Sequence, residues 1–224
     1  AAFNAAADIV GCDIYPVPFS PKVGHSDLAE RSMASVGAYT DRMQQAAPGK
    51  PVWMVLQGFG WPDIQPNASE ADRKELLRPT FDESRFMAYD SIVRGARGIL
   101  YWGTAYIEKD SALWTDLLKL GKELHDLQPV LSAEDAAITV KIQTEEISGS
   151  MDRGIRVLPK AVDGKTWFLM VNEAAEPLTC ILGGLEGLNG THYSDLGTGR
   201  KGIVEKGSLR VPMRAQWAYV LRPE

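Results

Sequence analysis

The chain has little of several features that would assign it to a specialised class of protein. It contains only two cysteines, Cys12 and Cys180, so neither a disulfide framework nor a cysteine metal cluster is expected. No apolar run reaches the roughly 18 residues that a membrane span needs. A net charge of −5 gives no basic footprint for nucleic acid. The sequence therefore predicts partners other than nucleic acid or a membrane.

The sequence begins at Ala1, without an initiator methionine and without the charged segment that opens a signal peptide. Such a start is expected of a processed, trimmed or partial chain, and it leaves export open. The 224 residues are enough for one large domain or two small ones. An apolar content of 45% is typical of a globular protein.

The first half of the sequence alternates short apolar segments with segments of helical periodicity. Strands are predicted at 8–15, 51–57 and 98–102, and helices at 26–48, from 69, at 81–96 and at 110–127. Buried strands that alternate with helices indicate parallel βαβ units. Three strands are too few to close an eight-stranded barrel, so they predict either a small open sheet or the part of a barrel that this chain contains.

Beyond Pro129 the pattern changes to short strand-like segments, several of them separated by turn signals. Seven segments are predicted, at 138–143, 154–158, 166–171, 178–182, 202–205, 208–211 and 216–221. This spacing favours an antiparallel β-sandwich. The predicted fold class is α/β plus all-β, with a partial (β/α)8-type barrel over residues 1–130 and a C-terminal β-sandwich over residues 131–224.

Polar and aromatic side chains follow all three predicted parallel strands, where sites form in such sheets. Asp13 and Tyr15 end the first strand, Gln57 ends the second and is followed by Trp61, and Trp102 ends the third. The apolar faces of pyranose rings lie on aromatic rings, and sugar hydroxyls need directional partners such as carboxylates and amides. The mixture predicts a carbohydrate cleft, in which two carboxylates would hydrolyse a glycosidic bond.

Each of these residues has a second interpretation. Asp13 is predicted as an acid, a base or a hydroxyl anchor, or else it caps a loop amide. Gln57 either holds a substrate hydroxyl or satisfies backbone groups of a loop. Trp61 is favoured as a platform or lid over a core residue, whereas Trp102 fits a sugar platform and a core position about equally well. Trp53 is predicted to be a core residue.

Three segments resemble strands six, seven and eight of TIM-barrel glycoside hydrolases: ADIVGCDIYPVP, KPVWMVLQGFGW and RFMAYDSIVRGARGILYWG. The tail, from WFLMVNEAAEPLTCILGGL to VPMRAQWAYVLRPE, is similar to the C-terminal sandwich that often follows such barrels. The resemblance implies a glycosidase activity on oligo- or polysaccharides without a cofactor or metal, and a secreted or cell-envelope bacterial protein. Trp102 matches the sugar-platform tryptophan of the last barrel strand.

The sequence departs from this family in two places. In the retaining members the nucleophile is a glutamate at the end of strand seven, and the matching position here is Gln57, whose amide cannot form the usual glycosyl ester. The family's acid/base lies on strand four, which the resemblance does not include. From its position at a strand end, Asp13 is the predicted catalytic group, as acid/base or hydroxyl anchor. Tyr15 and Gln57 are predicted to hydrogen-bond the sugar, and Trp61 and Trp102 to stack on it.

Two alternatives stay open: a non-catalytic carbohydrate-binding protein, and a truncated barrel fragment whose second half mediates assembly. An open three-stranded sheet also exposes backbone edges that need to be covered. We therefore expect either a homo-oligomer or association with a missing N-terminal barrel portion.

Overall fold

A computed structural model describes residues 6–20, 23, 27–146 and 152–224. The chain divides into two compact units, Ala1–Glu123 and Leu124–Glu224. This division falls earlier than the boundary at residues 130 and 131 that the composition predicts, and the extent of the independent domains stays a prediction.

The first unit is built on three parallel strands that alternate with helices, as the sequence predicts. The strands lie in the order β1-β2-β3, and Gln57 pairs with Trp102 at the end of the β2–β3 ladder. The elements are β1 (Val10–Asp13), α1 (Ser35–Ala46), β2 (Val52–Gln57), α2 (Glu70–Glu75), α3 (Phe81–Val93), β3 (Gly98–Trp102) and α4 (Ala112–Asp126).

The two faces of this sheet differ in burial because successive side chains of a strand point to opposite sides. Val52, Met54 and Leu56 are buried on the face of β2 that contacts α1 and α3. Trp53 and Leu100 belong to the other face and are 40% and 44% exposed. The prediction that Trp53 is a core residue is wrong, since its strand position directs the indole to the face without helices in the described part of this unit.

Helix α1 begins later than the sequence predicts. The predicted start at Ser26–Asp27 fails because Asp27 lies outside the helix, which begins at Ser35, and Ser26 lies outside the described residues. The carboxylate of Asp27 accepts hydrogen bonds from the Tyr39 hydroxyl and from Arg42 Nη1, the latter at 3.1 Å. Asp27 therefore bonds to side chains of the helix rather than to its first backbone amides.

The second unit contains two antiparallel sheets, ordered β10-β7-β4 and β5-β6-β11-β8-β9. Its elements are α5 (Gln128–Leu131), β4 (Lys141–Thr144), β5 (Ile155–Val162), β6 (Lys165–Asn172), β7 (Leu178–Gly183), β8 (His192–Asp195), β9 (Lys201–Ile203), β10 (Leu209–Met213) and β11 (Trp217–Pro223). Strand β8 is absent from the sequence prediction, whereas the other described strands overlap the predicted segments. The polar residues of β8 obscure its pattern, although Tyr193, Ser194 and Asp195 are buried.

One hydrophobic cluster includes residues of both antiparallel sheets. Phe168 and Tyr219 come from the larger sheet, and Cys180 and Leu209 come from the smaller one. The turn between β5 and β6 fits this pairing, because Asp163 and Gly164 both have positive φ, at 49° and 74°. Such a two-residue turn matches the twist of a hairpin.

Candidate functional site

The parallel strands bring three predicted site residues to one edge of the sheet. Asp13, Gln57 and Trp102 are the last residues of β1, β2 and β3, respectively. Parallel strands end at the same edge, so their following loops lie beside one another there. The candidate site is built from these strand ends and from the loops that follow them.

Asp13 and Tyr15 form a hydrogen-bonded pair at the end of β1. Asp13 is exposed, whereas Tyr15 is only 6% exposed, and the Tyr15 hydroxyl donates to the Asp13 carboxylate. Burial, and then the negative charge of Asp13, raises the pKa of Tyr15 well above its usual range. Tyr15 is therefore protonated at neutral pH and acts as a donor that orients the carboxylate.

Gln57 is completely buried, and its amide bonds to the backbone of two loops. Its Oε1 accepts from the Val17 amide at 2.9 Å, and its Nε2 donates to the carbonyl oxygens of Val17 and Phe59 at 2.6 and 3.0 Å. These contacts match the second interpretation given above, an amide that satisfies backbone groups of a loop. Direct contact of Gln57 with a sugar stays a prediction.

Aromatic rings pack around Tyr15, the partner of Asp13. Trp102 stacks on Tyr15, with ring centroids 5.7 Å apart and planes inclined by 24°. Phe59 meets Trp102 edge to face at 5.3 Å, and Tyr106 lies 5.8 Å from Trp102 on another side. Trp102 and Tyr106 remain 43% and 56% exposed. The cluster therefore presents two partly open rings above a packed aromatic base.

Trp61 belongs to the packed part of the cluster. It is 7% exposed and meets the fully buried Phe59 edge to face at 5.4 Å. The expectation that this loop tryptophan lies outside the core is wrong, because a 3₁₀ turn over Trp61–Asp63 places the indole against Phe59. The predicted stacking of Trp61 on a sugar is not tested by this burial, but its accessible surface is small.

Trp53 lies on the same open sheet face as Trp102, at the other end of the strands. A Cβ atom at Gly98 would lie 2.6 Å from the indole ring of Trp53, so the ring lies directly over this glycine of β3. Leu100, between Gly98 and Trp102, is also exposed on this face. An apolar surface thus extends along β3 below the candidate site.

One residue that organises the loops of this site is not predicted from the sequence. Arg78, between α2 and α3, contacts carboxylates in the loops after β2 and after β3, namely Asp63 and Glu108. A single arginine before a proline forms no sequence pattern from which such ion pairs could be predicted. Asp63 also caps the turn that begins at Trp61, since the Gly60 amide donates to its Oδ2 at 2.6 Å.

Metal ligands do not cluster at this site. In the part of the chain that the structure describes, no three His, Cys, Asp or Glu side chains are arranged to hold a metal ion.

Among the residues that the structure describes, no helix is sufficiently long and apolar to cross a membrane.

The fold is similar to that of several solved glycoside hydrolases. The α-amylase of Geobacillus thermoleovorans, solved with acarbose, matches at a TM-score of 0.52 and 11% identity over 85% of this chain and 42% of that one. An Anoxybacillus α-amylase matches at 0.51 and 14%, over 86% and 45% of the two chains. The α-galactosidase I of Mortierella vinacea matches at 0.52 and 9%, over 98% and 54%.

Comparisons by sequence find no match, either to a family model or to a curated protein. The chain spans about half the length of these three structures. The predicted resemblance is therefore confirmed for the fold, and the chain is similar in structure to glycoside hydrolases.

Proposed function

We propose that this chain contributes a carbohydrate-binding surface to a glycoside hydrolase, with Trp102 as its stacking platform and Asp13 as a catalytic carboxylate. The observation that carries the proposal is the pairing of a partly exposed indole with an oriented, exposed carboxylate at one sheet edge. Trp102 is fixed from below by Tyr15 and Phe59, so its ring is held in place before any ligand binds. A fixed ring loses little conformational freedom when a sugar stacks on it.

Asp13 is suited to act on a bound sugar because it is exposed and already oriented. The Tyr15 hydroxyl uses one of the acceptor positions of the carboxylate, and the other positions are open to a substrate hydroxyl or a glycosidic oxygen. In this proposal Asp13 acts as the acid/base or as a hydroxyl anchor, and Tyr15 both positions it and hydrogen-bonds the sugar.

Gln57 and Trp61 support this surface in the proposal. Gln57 fixes the loop at Val17 against the loop at Phe59, and Phe59 in turn supports Trp102. Trp61 packs behind Phe59. Gln57 does not replace a catalytic glutamate in this proposal, because its Oε1 and Nε2 already bond to the loop backbone.

Hydrolysis needs a second carboxylate besides Asp13. Asp63 and Glu108, in the adjacent loops, are both ion-paired with Arg78. The second catalytic carboxylate would therefore come from residues outside the three strand ends. The strands would be part of a (β/α) barrel followed by a β-sandwich, and their open face and edges would be covered by further barrel strands or by another copy of the chain.

A specific observation favours a second candidate function, carbohydrate binding without turnover. Of the three side chains at the strand ends, only Asp13 is a carboxylate, whereas the aromatic platform is complete. Measurable affinity for an oligosaccharide without hydrolysis, by an oligomer in which copies of the chain complete the cleft, would distinguish this function from the first.

The test of the proposed function is a turnover assay on aryl glycosides and on plant and bacterial oligosaccharides. If another copy of the chain supplies the second carboxylate, the wild-type chain should hydrolyse at least one sugar, and Asp13→Asn should not. The matched control is Asp163→Asn, a change at an exposed hairpin turn of the second unit where asparagine also tolerates positive φ. Full activity in Asp13→Asn would remove the assignment of Asp13. Affinity without turnover would show that the chain alone lacks a complete catalytic pair, as the second function and a cleft completed by further barrel strands both predict.

A further inference from the structure

The two loops beside Trp102 carry the exposed Tyr106 and the packed Trp61, and each loop contains an acidic residue. The loop after β2 carries Trp61 and Asp63, and the loop after β3 carries Tyr106 and Glu108. The two carboxylates lie within reach of the same guanidinium, that of Arg78. Arg78 thus joins two segments that are separate in the sequence and adjacent at the candidate site.

The contact with Asp63 has the geometry of a two-pronged ion pair. Arg78 Nε lies 2.9 Å from Asp63 Oδ2, and Arg78 Nη2 lies 2.8 Å from Asp63 Oδ1. The side chain of Asp63 is 10% exposed and that of Arg78 is 29% exposed, so this pair is partly shielded from water. The same Oδ2 atom accepts the Gly60 amide, which closes the turn that begins at Trp61.

The contact with Glu108 extends this connection to the second loop. Arg78 Nη2 donates to Glu108 Oε2 at 2.8 Å, although Glu108 is 65% exposed. A hydrogen bond with its own backbone, followed by the bond and the charge of Arg78, lowers the pKa of Glu108. The Glu108 carbonyl accepts from Ser111 at the start of α4, so the carboxylate lies on a segment that is anchored on its other side.

We infer that Arg78 is a positioning residue that holds the loop of Trp61 against the loop of Tyr106, so that Trp102 and Tyr106 form one rigid surface for a carbohydrate. The inference rests on the proposed function for its ligand. Arginine is required in this role because its planar fork serves two carboxylates at once, whereas the ammonium of lysine is a single point charge.

The inference is tested on the full chain with Arg78→Ala and Arg78→Lys. Amide hydrogen exchange is measured without sugar at Tyr106 and Asp63, whose N–H groups donate to Gly103 and Gly60 at 2.9 Å. We expect exchange at both sites to accelerate at least fivefold in either variant. The affinity for the oligosaccharide that the wild type binds should fall at least fivefold as well.

Two controls separate positioning from general stability. Arg210→Ala removes a comparable two-pronged pair with Glu145 in the second unit and should change neither readout. Amides within β2 report opening of the whole first unit. If they accelerate by the same factor as Tyr106, or if Tyr106 and Asp63 keep their wild-type rates, the inference is overturned.

The two proposals fail separately. If the wild-type chain binds no oligosaccharide, the proposed function fails, while the exchange rates still decide whether Arg78 holds the loops. If the exchange rates change but the affinity of a binding-competent chain does not, Arg78 orders the loops without positioning the binding surface, and the inference is wrong.

Discussion

At the scale of single residues, Gln57 shows how a buried amide fixes the shape of a site. The side chain is not exposed, and it makes three hydrogen bonds to the backbone on either side of it. An amide is required because it combines an acceptor for the Val17 N–H with donors for two carbonyl oxygens. A carboxylate has no such donors when it is ionised.

Gln57→Glu should therefore destabilise the chain. The ionised side chain would face the carbonyl oxygens of Val17 and Phe59 and would bury an unpaired charge, which should lower the free energy of unfolding by roughly 3 kcal/mol or more. Urea unfolding followed by circular dichroism measures this change. Gln143→Glu, at an exposed position of β4, is the control and should stay within about 0.5 kcal/mol of the wild type. Equal stability of the two variants would contradict the account of Gln57.

At the scale of secondary-structure elements, α1 and α3 approach closely at Gly37. The Gly37 amide donates to Oδ2 of the buried Asp90 at 2.8 Å, which joins the two helices. A Cβ atom at position 37 would lie 2.6 Å from the same oxygen. The helices α1 and α3 can therefore approach this closely only because residue 37 has no side chain.

Gly37→Ala should lower the free energy of unfolding by about 1–3 kcal/mol, because the added methyl group forces the carboxylate or the helix to move. The matched control is Gly121→Ala in α4, where the added atom would meet nothing within 4 Å. That change should stabilise the chain by up to about 1 kcal/mol, as alanine is the better helix former. A stabilising Gly37→Ala, measured by the same urea titration, would disprove this description of the contact.

The regular elements could be predicted from the sequence better than the burial of individual side chains. Strand β3 has the predicted bounds, because a short apolar segment between Arg97 and Gly103 defines both of its ends. The start of α1 could not be predicted, since the long-range bonds of Asp27 to Tyr39 and Arg42 replace local capping.

For the site, the sequence placed Asp13, Gln57 and Trp102 at strand ends correctly. It could not decide which of them face solvent, because that depends on which face of the sheet the helices cover. The burial of Trp61 and the exposure of Trp53 both follow from packing that no local pattern reports. The contacts of Arg78 likewise depend on loops brought together by the fold.

At the scale of the whole molecule, both units contain thiols that are wholly or partly buried and stay protonated, and stability should therefore decline at alkaline pH. Burial raises the pKa of Cys12 to about 11 and that of Cys180 to about 12, from an ordinary value of 9.0. Burial also raises the pKa of Tyr193 to about 12. The folded chain therefore retains protons that the unfolded chain releases at lower pH.

Because these pKa values are raised in the folded state, their contribution to stability is complete below about pH 9 and declines as the pH rises toward 12. The free energy of unfolding in urea should fall between pH 8.5 and pH 11 on the order of a few kcal/mol. Cys180→Ala, which removes one such group, should show a shallower decline. A free energy of unfolding that stays constant over this interval would contradict the burial of these groups.

The central claim is that a carbohydrate stacks on Trp102, and calorimetric titration of the chain with a panel of oligosaccharides tests it most directly. Three proteins are compared: the wild type, Trp102→Ala, and Trp53→Ala as a control at a similarly exposed tryptophan of the same sheet face. The account predicts binding by the wild type, at least a tenfold loss in Trp102→Ala and affinity within twofold of the wild type in Trp53→Ala. Absence of binding to every sugar, or an equal loss in both variants, would contradict it.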